Sequence, residues 1–290
     1  MKKLKKLFLV TVLFNLAPAV YCQNLHLNFF AGIANYKGDL QYNPKGGKQI
    51  SFKQPNFSAG LGLEYEISSK LYGRFGITAG KIGADDKKQP GQQQRNLNFT
   101  SSIFDVMLGA EYYIIDPYEH LVIPYVFAGL AYFHYNPYTF DATRTKVFLQ
   151  PLSTEGQGFV SGREPYSLSQ FSIPFGGGIK LALSEDVRVG VELSLRKTFT
   201  DYLDDVSTTY VDENILLAGK GQQSVDLAYR GEEVGAGPYP AAGTPIGTLA
   251  AKDWYYFTGV TLSFRLGAGG GGGGRGGGRK SKVGCPAVAR

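Results

Sequence analysis

Eight stretches of the chain alternate an apolar row with a row of Gly, Ser and charge, and the connections between them run long, short, long, short to the end. The clearest stretch is 170–183. There Phe171, Ile173, Phe175, Ile179, Leu181 and Leu183 fall on one face, and Gln170, Ser172, Gly176, Gly178 and Lys180 on the other. A soluble, half-buried sheet can alternate in the same way. The loop rhythm with an even strand count separates the two readings and predicts an all-β fold: an eight-stranded antiparallel transmembrane β-barrel with long extracellular loops.

The expected strands are 25–36, 56–67, 71–83, 97–114, 121–135, 167–183, 187–200 and 254–266. Short turns belong on the periplasmic side of such a barrel and long loops outside, so both termini are expected in the periplasm of a bacterium with an outer membrane. No run of about 18 apolar residues exists to make a membrane helix. If the chain crosses a membrane, strands do it.

Export needs a signal. Lys2, Lys3, Lys5 and Lys6 precede the short apolar run 7–16, the pattern of a signal peptide. Cleavage can follow Ala19 or Cys22, and strand-like residues begin soon after Cys22, so the boundary is placed there. The expected organisation is a signal peptide at 1–22, the barrel at 23–266 and a Gly-rich basic periplasmic tail at 267–290. Residues 267–290 are too low in complexity to pack a core and are expected to be disordered. With Cys22 removed, Cys285 is the sole thiol.

The formal charge of +6 is unevenly spread. Of the 30 Lys and Arg, four lie in the first six residues and five after Gly267, whereas all 24 acids lie between, leaving the barrel segment net −3. No nucleic-acid partner follows from the basic pI. Alternation turns Glu64, Glu66, Arg74, Asp105, Glu111, Lys180, Arg188, Glu192, Arg196 and Arg265 inward, five acids and five bases. That balance predicts a plugged lumen in which buried charges pair. Tyr36, Tyr112, Tyr113, Tyr132, Phe133, Trp254, Tyr255 and Tyr256 crowd the strand ends and are expected to face lipid at the headgroup level. The faces of the first and fifth strands are left unassigned, because both alternate poorly.

Catalysis has little to rest on. Of His26, His120 and His134, only His134 is expected at the outer rim, with Asp141 and Thr143 in the adjoining loop, and spacing cannot show hydrogen-bond reach. No cluster has metal-ligand spacing, and neither cofactor nor enzymatic activity is expected. Asp201, Asp204, Asp205, Asp212 and Glu213 are read as solvating the last long loop or meeting divalent ions at the lipid surface.

The last strand, Phe257-Thr258-Gly259-Val260-Thr261-Leu262-Ser263-Phe264, looks like the assembly signal of outer-membrane barrels, with Phe257 where a polar residue is usual. A narrower resemblance begins at Gly32. Gly32-Ile33-Ala34-Asn35-Tyr36-Lys37-Gly38-Asp39-Leu40 resembles the first strand of a family of Bacteroidota outer-membrane barrels that includes PorG, the barrel component of the type IX secretion apparatus. Lys282-Val283-Gly284-Cys285-Pro286 resembles that family's basic Cys-Pro tail. The glycine stretch 267–278 and the non-aromatic end depart from its pattern. The resemblance implies a non-enzymatic barrel that anchors or assists a secretion apparatus, of type IX, held in outer-membrane lipid and contacting periplasmic ring or lipoprotein components. A general barrel for surface adhesion or envelope stability is the alternative.

The residues expected to touch a partner are Tyr36, Gly38 and Asp39 from the first motif and Arg279, Lys280, Lys282, Cys285 and Pro286 from the tail. The physical reading of the first three is structural: Tyr36 an anchor at the outer interface, Gly38 a turn with positive φ, Asp39 a backbone acceptor.

Overall fold

Alternating sequences bury one row of side chains and must still satisfy every backbone N–H and C=O, which in a membrane requires a sheet without edges. The computed structural model describes residues 24–41, 54–89, 91–247 and 252–266 and shows such a sheet. Its strands are β1 (Leu25–Lys37), β2 (Asn56–Glu66), β3 (Leu71–Asp85), β4 (Asn98–Tyr113), β5 (Val122–Phe140), the short β6 (Lys146–Phe148), β7 (Ser169–Ala182), β8 (Val187–Thr198) and β9 (Trp254–Leu266). Eight form the barrel, each antiparallel to its neighbours, and the β1–β9 and β4–β5 pairings close it. β6 pairs only with the far end of β5, Tyr138 to Phe140.

The register fixes the stagger of the barrel. A row perpendicular to the strands runs His134, Phe104, Ala79, Ala59, Ala31, Val260, Val191 and Ile179, and returns to β5 at Pro124, ten residues from its start. Closure with that stagger requires the strands to tilt. β5 outruns the expected end at Tyr135 because Asn136-Pro137, a turn signal in sequence, here continues the ladder opposite Ser102 and Ser101.

The two faces differ as lipid and lumen should. Outward residues such as Leu108 (68% exposed), Leu130 (66%), Phe171 and Val191 (58%) form an apolar surface that water would not support. This is the architecture of an eight-stranded outer-membrane barrel. Exposed aromatics sit at both ends of the apolar band, with Phe57, Tyr132 and Phe171 toward the long loops and Tyr65 and Tyr112 toward the short turns.

Five of the eight expected interfacial aromatics, Tyr36, Tyr113, Phe133, Tyr255 and Tyr256, are fully buried and do not face lipid at the headgroup level. Residues adjacent along a strand point to opposite faces. In Tyr112-Tyr113 and Tyr132-Phe133 the first ring faces lipid and the second fills the lumen end. In β1 the odd positions from Leu25 to Ile33 face outward, and His26, Asn28, Ala34 and Tyr36 face inward.

Residues 199–247, after β8, are folded. Within them, α1 (Glu213–Lys220) starts at Asp212, whose carboxylate accepts from the amides of Asn214 and Ile215, and α2 (Gln222–Ala228) follows at Gly221, where φ is +84°. Leu203, Val206, Tyr210, Leu227 and Ile246 from this segment pack with Leu40, Leu97, Leu149 and the inward rings of Tyr36, Phe133 and Tyr255. They make a hydrophobic cap over the long-loop end of the barrel.

Candidate functional site

All ten charges expected to face inward do so. Lys180 is the hub: its Nζ lies 2.9 Å from Glu64, 2.6 Å from Glu111 and 3.0 Å from the Tyr113 hydroxyl. Arg74 extends the network, donating to Glu111 at 2.9 Å and Glu192 at 2.8 Å, while Tyr125 donates to the other Glu192 oxygen. Arg196 and Asp105 pair at 3.1 Å nearer the cap, joined by the Tyr255 hydroxyl. At the short-turn end Arg265 meets Glu66, and Tyr118 from the turn between β4 and β5 bonds both.

Arg188 departs from the pairing rule. Among the described residues no carboxylate comes within ion-pair distance of it; its guanidinium lies over the rings of Tyr72, Tyr113 and Tyr118 instead. Cation–ring attraction is strongest where water is excluded. A lumen cavity lined by Asn28, Arg74, Glu192 and Arg196 has about 30 Å³, room for ordered water.

Asp86 beside the cap pairs with Arg95 at 2.7 Å, but among the described residues the cap acids Asp201, Asp204, Asp205, Asp253 and Glu155 have no base within ion-pair distance. The Tyr36 hydroxyl donates to Asp204 at 2.5 Å and lies 3.3 Å from Asp253. Asp204 also accepts from the amides of Leu40 and Val206, and Asp253 from that of Leu203. Burial, reinforced by neighbouring carboxylates, holds Asp204 and Asp253 well above the usual carboxylate range. Asp205 accepts from Thr154 at 2.6 Å and Tyr166 at 2.5 Å, and burial still pushes it up to about 7. Asp201, bonded to Ser207, is pushed up to about 6 by the same cause. Glu155 is raised by burial although Ser207 and Thr208 donate to it.

These placements alter the expected roles of several residues. Asp201, Asp204 and Asp205 are buried supports of the cap and do not solvate the loop, whereas Asp212 caps α1. Tyr36 and Asp39 are buried beneath the cap, so Tyr36 is not an interfacial anchor. Gly38 does not adopt positive φ; it is needed because a Cβ would collide with the Tyr36 ring and the Asp253 carboxylate. The sequence signal that could have revealed this site is the set of apolar residues Leu203, Val206 and Tyr210 interleaved with its acids.

His134 bonds Ser169 at 2.8 Å on the outward face, while Asp141 bonds Thr143 and Thr145 within its own turn. The structure does not assemble His134, Asp141 and Thr143 into one site. The expected signal peptide and the tail residues Arg279, Lys280, Lys282, Cys285 and Pro286 lie outside the described residues.

Comparison with solved structures returns barrels of low sequence identity. Neisserial surface protein A (NspA) is 10% identical, covering 84% of this chain and 97% of that one, with a TM-score of 0.39. The outer membrane protein OprG from Pseudomonas aeruginosa is 11% identical over 84% and 98%, with a TM-score of 0.40. Ail, the attachment invasion locus protein of Yersinia pestis, is 9% identical over 83% and 97%, with a TM-score of 0.38. No curated protein matches the chain. The family described as "Domain of unknown function (DUF6089)" matches residues 5–220, most of the length including seven of the eight barrel strands, and the chain belongs to that family.

Proposed function

We propose that the chain is a non-enzymatic outer-membrane barrel that anchors or assists a protein secretion apparatus, of the type IX class, through periplasmic contacts. The observation that carries this reading is the closed interior. With ion pairs across the lumen and the cap over its outer end, conduction is not the barrel's business, and a fixed position in the membrane is what it offers. The resemblance of residues 32–40 and 282–286 to secretion-associated barrels supports the choice of partner. Tyr36, Gly38 and Asp39 then serve by holding the cap, and the partner contact falls to the short turns and to Arg279, Lys280, Lys282, Cys285 and Pro286.

The test is truncation after Leu266, which keeps all of β9. The barrel should still insert and shift its gel mobility on heating, but lose its co-purifying periplasmic ring or lipoprotein partners, and exported proteins should accumulate in the cell. Normal secretion by cells carrying only the truncated barrel would reject the reading. Orientation is tested separately: an impermeant maleimide should spare Cys285 in intact cells and reach it after permeabilisation, and surface labelling would overturn the proposed periplasmic termini.

A second reading, surface adhesion, is favoured by one observation. The cap carries exposed apolar side chains, Phe159, Ile215 and Leu217 among them, on an ordered surface. Replacing Ile215 and Leu217 with Glu should abolish adhesion under that reading and leave secretion intact under the first.

A further inference from the structure

On the barrel strands, the outward positions are almost free of charge. The ionisable exceptions other than tyrosines are Lys37, Lys81, Asp85, His134 and Lys197, and all five lie at the long-loop ends of their strands. Three lysines against one aspartate give the rim that faces lipid a net positive charge. Two of the lysines are neighbours of one tryptophan. Lys37 on β1 stands opposite Trp254 on β9, and Trp254 stands opposite Lys197 on β8.

At a strand spacing of roughly 4.8 Å, the two lysine backbones are about 10 Å apart with the indole between them. Trp254 and the outward ring of Phe175 meet in a T-shaped contact, centroids 5.9 Å apart at 83°, which holds the indole at the top of the apolar wall. Lys197 is exposed, and among the described residues no carboxylate lies within ion-pair distance of it. A lysine here can lay its stem on the wall and lift its ammonium to the headgroups. An indole suits the same level, with an apolar body and one N–H donor.

We propose that Lys37, Trp254 and Lys197 form a seat for the phosphorylated sugar headgroup of an outer-leaflet glycolipid. The order cation, ring, cation is the complement of phosphate, sugar, phosphate: each ammonium meets an anionic oxygen and the indole offers a flat face to a sugar ring. An ordinary phospholipid has one phosphate and no ring, and would fill half of the seat. The inference rests on the reading that the long-loop end faces the outer leaflet.

The chain contains a single tryptophan, so the seat carries its own reporter. The full chain, folded in zwitterionic micelles, is titrated with bis-phosphorylated lipid A, with its dephosphorylated form and with phosphatidylglycerol while Trp254 fluorescence is followed. A saturable response to bis-phosphorylated lipid A is expected. Lys197→Gln and Lys37→Gln should each weaken it about five-fold, and Lys81→Gln, at the same rim on β3, should leave it unchanged. An equal response to the dephosphorylated lipid or to phosphatidylglycerol would overturn the proposal. So would a loss from Lys81→Gln matching that from Lys197→Gln, which would mean diffuse rim charge. A chain that folds, shown by heat-dependent gel mobility, yet gives no response refutes the seat alone; a chain that never enters micelles or bilayers refutes the membrane reading beneath it.

Discussion

In the lumen, Lys180 stands within 2.9 Å of Glu64 and 2.6 Å of Glu111; in the cap, Asp205 meets only the hydroxyls of Thr154 and Tyr166. Both regions bury ionisable groups in number. The lumen answers acid with base, so its members can stay charged away from water. The cap answers acid with neutral donors, so its members tend toward the protonated form. The same protein thus holds one region whose cohesion is electrostatic and another whose cohesion is sensitive to protons.

The largest effect should come from unbalancing the lumen. Lys180→Ala leaves Glu64 and Glu111 facing one another with Arg74 as their remaining near base, and should cost about 3–5 kcal/mol in urea unfolding from lipid vesicles. An unchanged midpoint would mean that water reaches the network and the lumen is not dry. Val191→Arg probes the opposite face and should cost about 2–4 kcal/mol if the site lies near the bilayer midplane. A neutral result there would put the outward assignment in doubt.

Gly38→Ala should act on the cap and not on the barrel. The added methyl meets Tyr36 and Asp253, an overpacking worth about 1–3 kcal/mol, seen as faster protease cleavage within 199–253 at unchanged heat-dependent mobility. Equal loss in both regions would merge them into one cooperative unit.

The last effect is the pH dependence, and it sharpens the contrast most. Asp205 rises from an ordinary 3.8 to about 7 in the folded chain, and Asp201 to about 6, so the folded cap binds more protons than the unfolded one between those limits. Its stability is fully present below about pH 4 and is lost as pH rises through 6 and 7. Protection against hydrogen exchange across 199–247, after correction for the intrinsic base-catalysed rate, should therefore be lower at pH 8 than at pH 5. Asp205→Asn should flatten that dependence. Position 205 has φ of +68°, which Asn also tolerates, so the replacement tests charge and not backbone strain.

The barrel was legible because period-two alternation is a local property of the chain. Glu64, Lys180 and Glu192 could be turned inward from their neighbours alone, and their pairing followed from the need to neutralise buried charge. The partners were not legible, since Lys180 reaches Glu64 across 116 residues and only the register brings them together. The cap is hidden in the sequence for the opposite reason. Asp201, Asp204 and Asp205 look like a solvated acidic turn, and nothing local says that Leu203 and Val206 beside them enter a core built from six other segments. Residue type alone turns Tyr113 and Phe133 outward, whereas strict alternation from Tyr112 and Tyr132 places both in the lumen.

One contact ties the first strand to the last. Tyr36 stands near the end of β1, Asp253 immediately before β9, and Asp204 after β8, and the hydroxyl of the first meets both carboxylates. β1 and β9 become neighbours only when the sheet completes its circuit, so this latch cannot form on a partly inserted chain. It makes the cap a witness of closure. An assembly intermediate open along the β1–β9 seam should carry 199–253 loose, and protease resistance should appear there in the same step that zips the first strand to the last.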